Sequence, residues 1–322
     1  MSKFACAAAA LVCLLIPVRA VAQTDRPRPP GANSPKIFVL HDDGSITIFR
    51  GARQTEISGR HTGMRSTVGI VRQKLGDLVV SNREVDGRPG SIVTLPAGKG
   101  DVEAKFIIKC KGMTPWGTGL DADSNIWMTD YESNDVREYA AAANGCPAPL
   151  ATISGPHTGL NQPENVAIDR KGRIVVANYL SGIVIFAPGA NGDATPVASL
   201  TNAQVMNAHL EGMAVDAKNN IWVTSYANNA VLEFAPDANG TAAPIRVISG
   251  DKTQLSAPVG IALDRDSGEI YVAAYGTRAM LVRGGCQGKR GARPAIRHRL
   301  LPLRRDGEIA PVRGLRISLR PF

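Results

Sequence analysis

Aromatic residues are scarce, at 5% of the chain, and histidines number only five. Beside 33 Gly and 21 Pro, that shortage suits many short strands joined by turns better than long packed helices. No long apolar run exists outside the extreme N-terminus, which excludes a polytopic membrane protein. There is no CxxC, no Cys/His metal spacing, no HExxH, no phosphate loop and no Ser nucleophile elbow. Those absences remove the zinc protease, nucleotide hydrolase and α/β-hydrolase readings.

What is present is a globular composition: 44% hydrophobic and 20% charged residues over 322 positions, enough for one large domain or two ordinary ones. The net charge of +9 invites a nucleic-acid partner, but its distribution does not. Residues 283–322 hold eleven basic residues against Asp306 and Glu308, a net of +9, so residues 1–282 balance at 26 basic and 26 acidic. Nucleic acid is therefore not expected as a partner of the body of the chain.

Residues 1–22 read as an export signal. Lys3 precedes the apolar stretch Phe4–Val18, and Ala20-Val21-Ala22 offers the small residues of a cleavage site, with Gln23 as the first mature residue. The run is too short for a good membrane span, so a secreted or periplasmic location without a membrane anchor is expected. Residues 23–36 read as an extended linker, Pro-rich at its centre. Export permits a Cys110–Cys146 disulfide, and two separate buried thiols remain the alternative.

Residues 37–282 are organised by a repeat of 47 to 49 residues. Segments 115–131, 163–179, 210–226 and 258–275 align, with Asp121, Asp169, Asp216 and Asp264 spaced by 48, 47 and 48 and a tyrosine closing each (Tyr131, Tyr179, Tyr226, Tyr275). Asn144-Gly145, Asn191-Gly192 and Asn239-Gly240 recur downstream in register. A diverged copy covers 67–82, and a partial copy at 37–49 lacks the first strand of the unit. Each unit reads as four strands, with Asn-Gly introducing the last one through a tight turn. One such unit cannot cover both of its faces, so the units must stack in a ring. The expected fold is an all-β, six-bladed β-propeller with four strands per blade and a last blade that is incomplete as written.

The unit P-x-G-[IV]-A-[VIL]-D-x-x-G-x-[IL]-[YW]-V-[AT]-x-[YN] resembles the NHL repeat of six-bladed propellers over essentially the whole of 37–282. The resemblance implies the architecture. Its members include scaffolds, ligand binders, lyases and lactone hydrolases, so it implies no single activity.

The repeat stops at Val282. In place of the expected outer strands the chain reads RGGCQGKRGARP (283–294). Starting a new frame at the second base of the Val282 codon, synonymous third bases can spell FAAGARGNAAP, the missing repeat. Residues 283–322 are therefore expected to be out of frame, against the alternative of a genuine basic tail whose alternating 314–322 segment supplies the strand that the 37–49 unit lacks.

In a propeller, the residues opening each first strand and the turn after each second strand face one mouth. Opening positions are Trp116-Gly117, Glu164-Asn165, Glu211-Gly212 and Val259-Gly260; the turns add Asp130, Tyr131, Asn178, Tyr179, Ser225, Tyr226 and Tyr275, with His41, Asp42, Asn82 and Glu84 from the incomplete units. His209 sits beside Glu211. The candidate ligand-binding set is Trp116, Glu164, Asn165, Asn178, Tyr179, His209, Glu211 and Tyr226. Glu164 and Glu211, at equivalent places of adjacent blades, are also the candidate ligands for Ca²⁺, a hard cation that takes oxygen donors. Glu211-Gly212 is similar to the Glu-Gly of gluconolactonase-like propellers, and that resemblance implies a metal-binding Glu. The repeated Asp residues, and His61 and His157 in the matching SGRHTGM and SGPHTGL loops, read as scaffold. The four repeated tyrosines read as blade-to-blade packing, with an aromatic binding rim around one mouth as the alternative. The leading reading is a non-enzymatic binding module for a protein, peptide or glycan, with no resident cofactor. The alternative is a Ca²⁺-dependent lactonase-like hydrolase or a lyase at the same mouth.

Overall fold

The computed structural model describes residues 18–22, 36–50, 53–264, 269–275 and 280–282. The strands come in chain order as blades. The first sheet holds β1 (Val18–Ala22), β2 (Lys36–His41), β3 (Ile46–Arg50) and β4 (Arg53–Ile57); the second holds β5 (Thr67–Arg72), β6 (Leu78–Asn82), β7 (Ser91–Leu95) and β8 (Phe106–Ile108). The third holds β9 (Pro115–Leu120), β10 (Ile126–Asp130), β11 (Asp135–Tyr139) and β12 (Ala151–Ile153); the fourth holds β13 (Pro163–Ile168), β14 (Ile174–Asn178), β15 (Ile183–Phe186) and β16 (Ala198–Leu200). The fifth holds β17 (Leu210–Val215), β18 (Ile221–Ser225), β19 (Ala230–Phe234) and β20 (Arg246–Ile248). A last sheet holds β21 (Pro258–Leu263), β22 (Ile270–Ala274) and β23 (Met280–Val282). The described residues thus form five four-stranded blades, not six, and one three-stranded sheet. The place where a fourth strand of the last sheet was expected falls in residues 283–322, which lie outside the described residues.

The innermost strands meet in a closed order, β1 to β5, β9, β13, β17, β21 and back to β1. Each junction between consecutive sheets has its own apolar core. Between the fourth and fifth blades, Val175, Ile183 and Ile185 pack on Ile221, Val223 and Leu232. Between the last sheet and the first, Tyr271 and Val259 pack with Val39. The apolar residues of the second and third strands supply one row of side chains to each neighbour, and burying one such residue contributes on the order of 2 kcal/mol.

Two expectations about local structure change. The 37–49 unit does not lack its first strand: Val18–Ala22 takes that place, with Ala22 opposite Phe38 and Ala20 opposite Leu40. The strand is made from residues assigned to the end of the export signal. Nor do the Asn-Gly pairs introduce the fourth strands. They leave their own blade and latch the previous one. Gly192 N–H donates to the Thr152 carbonyl (2.7 Å), the Gly192 carbonyl accepts from Ser154 N–H (3.0 Å), and Asn191 Oδ1 accepts from Thr152 N–H (2.9 Å). Asn144-Gly145 and Asn239-Gly240 make the same bonds to Ile107 and Ser199. Cys110 and Cys146 are bonded at a Cα separation of 5.0 Å, which places a covalent link across one of these latches, between the second and third blades.

Candidate functional site

The inner strands surround a channel of about 1090 Å³ of empty space, including its open mouth. Its walls are Gly, Ala, Val and Ile for most of its length, and one end is ringed by Val68, Trp116, Glu164, Glu211 and Val259. The backbone explains why those five stand at the lip. Pairing of each inner strand slips by one residue just after its start: Pro163 faces Asn178 but Asn165 faces Ala177, so Glu164 is the extra residue of a bulge. The same slip spans Val68 and Val259, and β9 and β17 slip around Trp116 and Glu211. A bulge re-aims the side chain it carries. In β1 the residue at this register is Arg19.

A glycine follows the lip residue in four of these strands because neighbouring strands approach closely there. A Cβ on Gly117 would lie 2.4 Å from the Glu164 carbonyl oxygen, and one on Gly212 would lie 2.8 Å from Gly260 Cα. The fourth blade has Asn165 instead, and its amide nitrogen reaches across to donate to the Glu211 carbonyl (3.1 Å). Asn165 therefore ties two lip strands together.

The tyrosines are held by a second repeated device. The residue before the inner strand takes a left-handed backbone, at φ 50° for Gln162, 47° for His209 and 51° for Ala257. Its carbonyl accepts the N–H of the tyrosine after the second strand: Gln162 from Tyr179 (3.0 Å), His209 from Tyr226 (3.1 Å), Ala257 from Tyr275 (2.8 Å). Thr114 receives Tyr131 in the same way (3.2 Å), while in the second blade the tyrosine's place belongs to Arg83, bonded to Ser66 (3.1 Å). This brings the rings into one chain. Trp116 and Tyr131 are 5.0 Å apart between centroids, Tyr131 and Tyr179 6.1 Å, Tyr179 and His209 4.3 Å, and His209 and Tyr226 6.1 Å. All five rings are half-buried. The planes tilt by 31° at each end of the Tyr131–Tyr179 pair and by 69° within it, so the rings form a curved wall and not a flat shelf.

Glu164 is 1% exposed, and its carboxylate is near enough to act on two phenols of this wall. Burial, and then the Glu164 carboxylate, push the Tyr131 phenol up to about 12. Burial followed by Glu211 and Glu164 raises Tyr179 as well. Both carboxylates therefore act on the ring hydroxyls.

Of the eight residues expected at the mouth, Trp116, Glu164, Glu211, Tyr179, His209 and Tyr226 come together there, and Asn165 bridges beneath them. Asn178 does not join them. It is fully buried, its Oδ1 accepts from Asn161 N–H (3.1 Å) and its Nδ2 donates to the Gly159 carbonyl (3.1 Å), so it anchors the loop that delivers Tyr179. Asn82 does the same in the second blade. His41 is also drawn inward, its Nε2 2.8 Å from Thr47 Oγ1, and burial lowers its pKa. Tyr131 completes the wall, and its repeat position was the signal for it. The bulge and the left-handed residues carry no signature in the sequence.

Among the described residues no group of three or more His, Cys, Asp or Glu side chains is placed to hold a metal ion. Ca²⁺ takes six to eight oxygens. Glu164 and Glu211 supply only part of such a set. Among the described residues no helix is long and apolar enough to cross a membrane.

No family model and no curated protein matches this chain. Solved structures do. The selenomethionine-substituted virginiamycin B lyase from Staphylococcus aureus is 15% identical, with a TM-score of 0.53 over 79% of this chain and 81% of its own. The WD40 repeats of RRP9 are 10% identical, with a TM-score of 0.57 over 84% of this chain and 77% of their own. The WD40 propeller domain of Doa1 is 8% identical, with a TM-score of 0.55 over 83% and 92%. The chain is a β-propeller. At these identities the likeness reaches the fold and stops there.

Proposed function

We propose that this β-propeller is an exported binding module that takes a protein, peptide or glycan at the mouth formed by Trp116, Tyr131, Tyr179, His209 and Tyr226. The observation that carries the reading is the unbroken chain of five half-buried rings across three blades, set beside an open channel. Tyr and His are commonly half-buried, so it is their series beside the open channel, more than their exposure, that supports a contact surface. The repeat is proposed as NHL-type, and the three-stranded sheet as the sixth blade. The Cys110–Cys146 bond supports an oxidising compartment. Removal of residues 1–22 on export would take β1 with it, and N-terminal sequencing of the mature protein decides whether that strand is kept. The functional test is binding to peptide and glycan arrays by the native protein and by Tyr179→Ala. Binding should vanish in the variant at an unchanged melting temperature; binding retained in full would remove the mouth from the function.

The second reading is a lyase or lactone hydrolase at the same mouth. One observation favours it: His209, the one histidine of the ring wall, precedes the lip residue Glu211 by two positions. A melting temperature that rises with Ca²⁺ and falls with EDTA would support its metal-dependent form.

A further inference from the structure

We propose that the cleft between the second and third blades, lined by Arg83 and the Trp116–Tyr131 pair, recognises an aromatic amino-acid residue by its α-carboxylate. This rests on the mouth being the binding site, and it names the chemistry taken at the first end of the ring wall.

Three features converge. First, the second blade carries an insertion at the mouth. Its turn between second and third strands spans 83–90, against 42–45, 131–134, 179–182 and 226–229 in the other four-stranded blades. The extra residues form an ordered hairpin. Arg88 N–H donates to the Val85 carbonyl (3.0 Å) and Val85 N–H to the Arg88 carbonyl (3.4 Å), while Asp86 and Gly87 take left-handed backbones at φ 52° and 68°, as a two-residue hairpin turn favours. Its base is tied down by Arg65 Nη2, which donates to the Pro89 carbonyl (2.6 Å), and by Gly90 N–H, which donates to the Met113 carbonyl (3.0 Å). Beside it lies a cleft of about 490 Å³ of empty space, including its open side, within the range of small-ligand sites. The hairpin gives the cleft Arg83, Glu84 and Val85; the third blade gives it Thr114, Trp116, Tyr131 and Glu132. Second, no described carboxylate is paired with the arginine. Arg83 is half-buried and occupies the place that tyrosine holds in the later repeats. Its Nε is covered without a hydrogen-bond partner, and no ion pair joins its guanidinium to a described residue. Arg173, similarly half-buried, is satisfied within the fold: its Nε donates to Asp169 Oδ2 (2.7 Å) and its Nη2 to the Pro236 carbonyl (2.8 Å). A guanidinium fork suits a carboxylate, which it meets with two parallel bonds. Third, two rings line the same cleft. Trp116 and Tyr131 lie 5.0 Å apart between centroids and are tilted by 31°, and such a pair offers apolar surface on which a further ring packs.

The rim decides between kinds of anion. Glu84 and Glu132 are exposed at the same cleft. Two carboxylates beside one guanidinium repel phosphate, sulfate and nucleic acid, which bring more negative charge than Arg83 offsets. An amino-acid residue differs. Next to its carboxylate it carries a donor, the ammonium of a free amino acid or the amide N–H of a peptide's last residue, and glutamates accept from either. The α-carboxylate, the neighbouring N–H and the aromatic side chain then match the fork, the rim acids and the ring pair. The source of that group is either a free aromatic amino acid or the C-terminal residue of a peptide.

The experiment is calorimetric titration of the full chain with tryptophan, with tryptophanamide, with inorganic phosphate, and with a short peptide ending in tryptophan beside its C-terminally amidated form. Tryptophan or the free-ended peptide should bind at least about tenfold more tightly than its own amide, and phosphate should not compete. Arg83→Gln should abolish the difference between acid and amide, and Tyr131→Leu should weaken both by about tenfold, with melting temperatures kept. A peptide that outcompetes tryptophan identifies a peptide end; tryptophan binding more tightly identifies a free amino acid. Equal binding of acid and amide by the native protein, or a preference that Arg83→Gln leaves intact, overturns the carboxylate. The comparison of acid with amide needs no variant, so it decides even where Arg83→Gln fails to fold. If ligands bind in a Tyr179-dependent way that Arg83→Gln does not alter, this inference fails while the mouth stands. If nothing that binds depends on Tyr131 or Tyr179, both fail.

Discussion

Burial raises two phenols at the mouth above the ordinary tyrosine value, and two nearby carboxylates add to it. Burial and Glu164 push Tyr131 up to about 12, and burial with Glu211 raises Tyr179. Removing a negative charge makes a phenolate easier to form. An alkaline absorbance titration should therefore show at least two late tyrosines, and Glu211→Gln should bring one of them down. A second pair of residues responds to acid. His157 Nδ1 lies 2.6 Å from Asp193 Oδ2, and His157 N–H donates to Asp193 Oδ1 (2.8 Å). The side-chain and backbone bonds from His157 hold the Asp193 carboxyl below its ordinary value. With its folded pKa below an unfolded value of about 3.9, the pair contributes stability above that pH, and the contribution is lost as pH falls through the folded value. Asp193→Asn should flatten the fall of the melting temperature between about pH 4 and more acid conditions. His61 and Asp101 repeat the arrangement two blades earlier. That these histidines serve the scaffold was legible in the sequence, because they recur in one loop motif. That Asn178 also does was not, since an Asn at a strand end looks alike whether it faces a ligand or a loop carbonyl.

At the scale of elements, glycine does two different jobs, and they fail differently when filled. Gly192, at φ 66°, has nothing within 4 Å of an added Cβ. Gly192→Ala should cost only the strain of a left-handed alanine, about 1 kcal/mol. Gly117 has no such strain but no room, with the Glu164 carbonyl oxygen 2.4 Å from an added Cβ. Gly117→Ala should cost about 1–3 kcal/mol and also displace Glu164, so chemical denaturation and ligand binding should change together. The recurrence of Asn-Gly was readable in the sequence, but its role was not. A tight turn inside a blade and a latch between blades ask for the same backbone, and only the partner across the gap tells them apart.

For the molecule as a whole, stability depends on how the ring is closed. The Cys110–Cys146 bond spans 36 residues and ties the second blade to the third. In the chain-entropy account a loop of that length is worth about 3–4 kcal/mol, so Cys110→Ser should lower the unfolding free energy from chemical denaturation by an amount of that order, and reducing agent should do the same to the native protein alone. Closure at the first blade rests on β1, whose backbone pairs with β2 and meets β5 and β21. A chain starting at Gln23 should therefore melt lower than one that keeps Val18–Ala22. The sequence by itself determined the repeat, the strand class, the propeller and most residues of the mouth, because a unit repeated four times shows its period, its turns and its inward face without any long-range information. Only the tertiary structure decided the rest. Val18–Ala22 became a strand because the ring left a place for one. The glutamates came to stand at the lip of the channel, near the tyrosines, because a one-residue slip in each inner strand re-aims its lip residue. Pairing register and blade-to-blade contact are properties of segments far apart in the chain, and no local pattern encodes them.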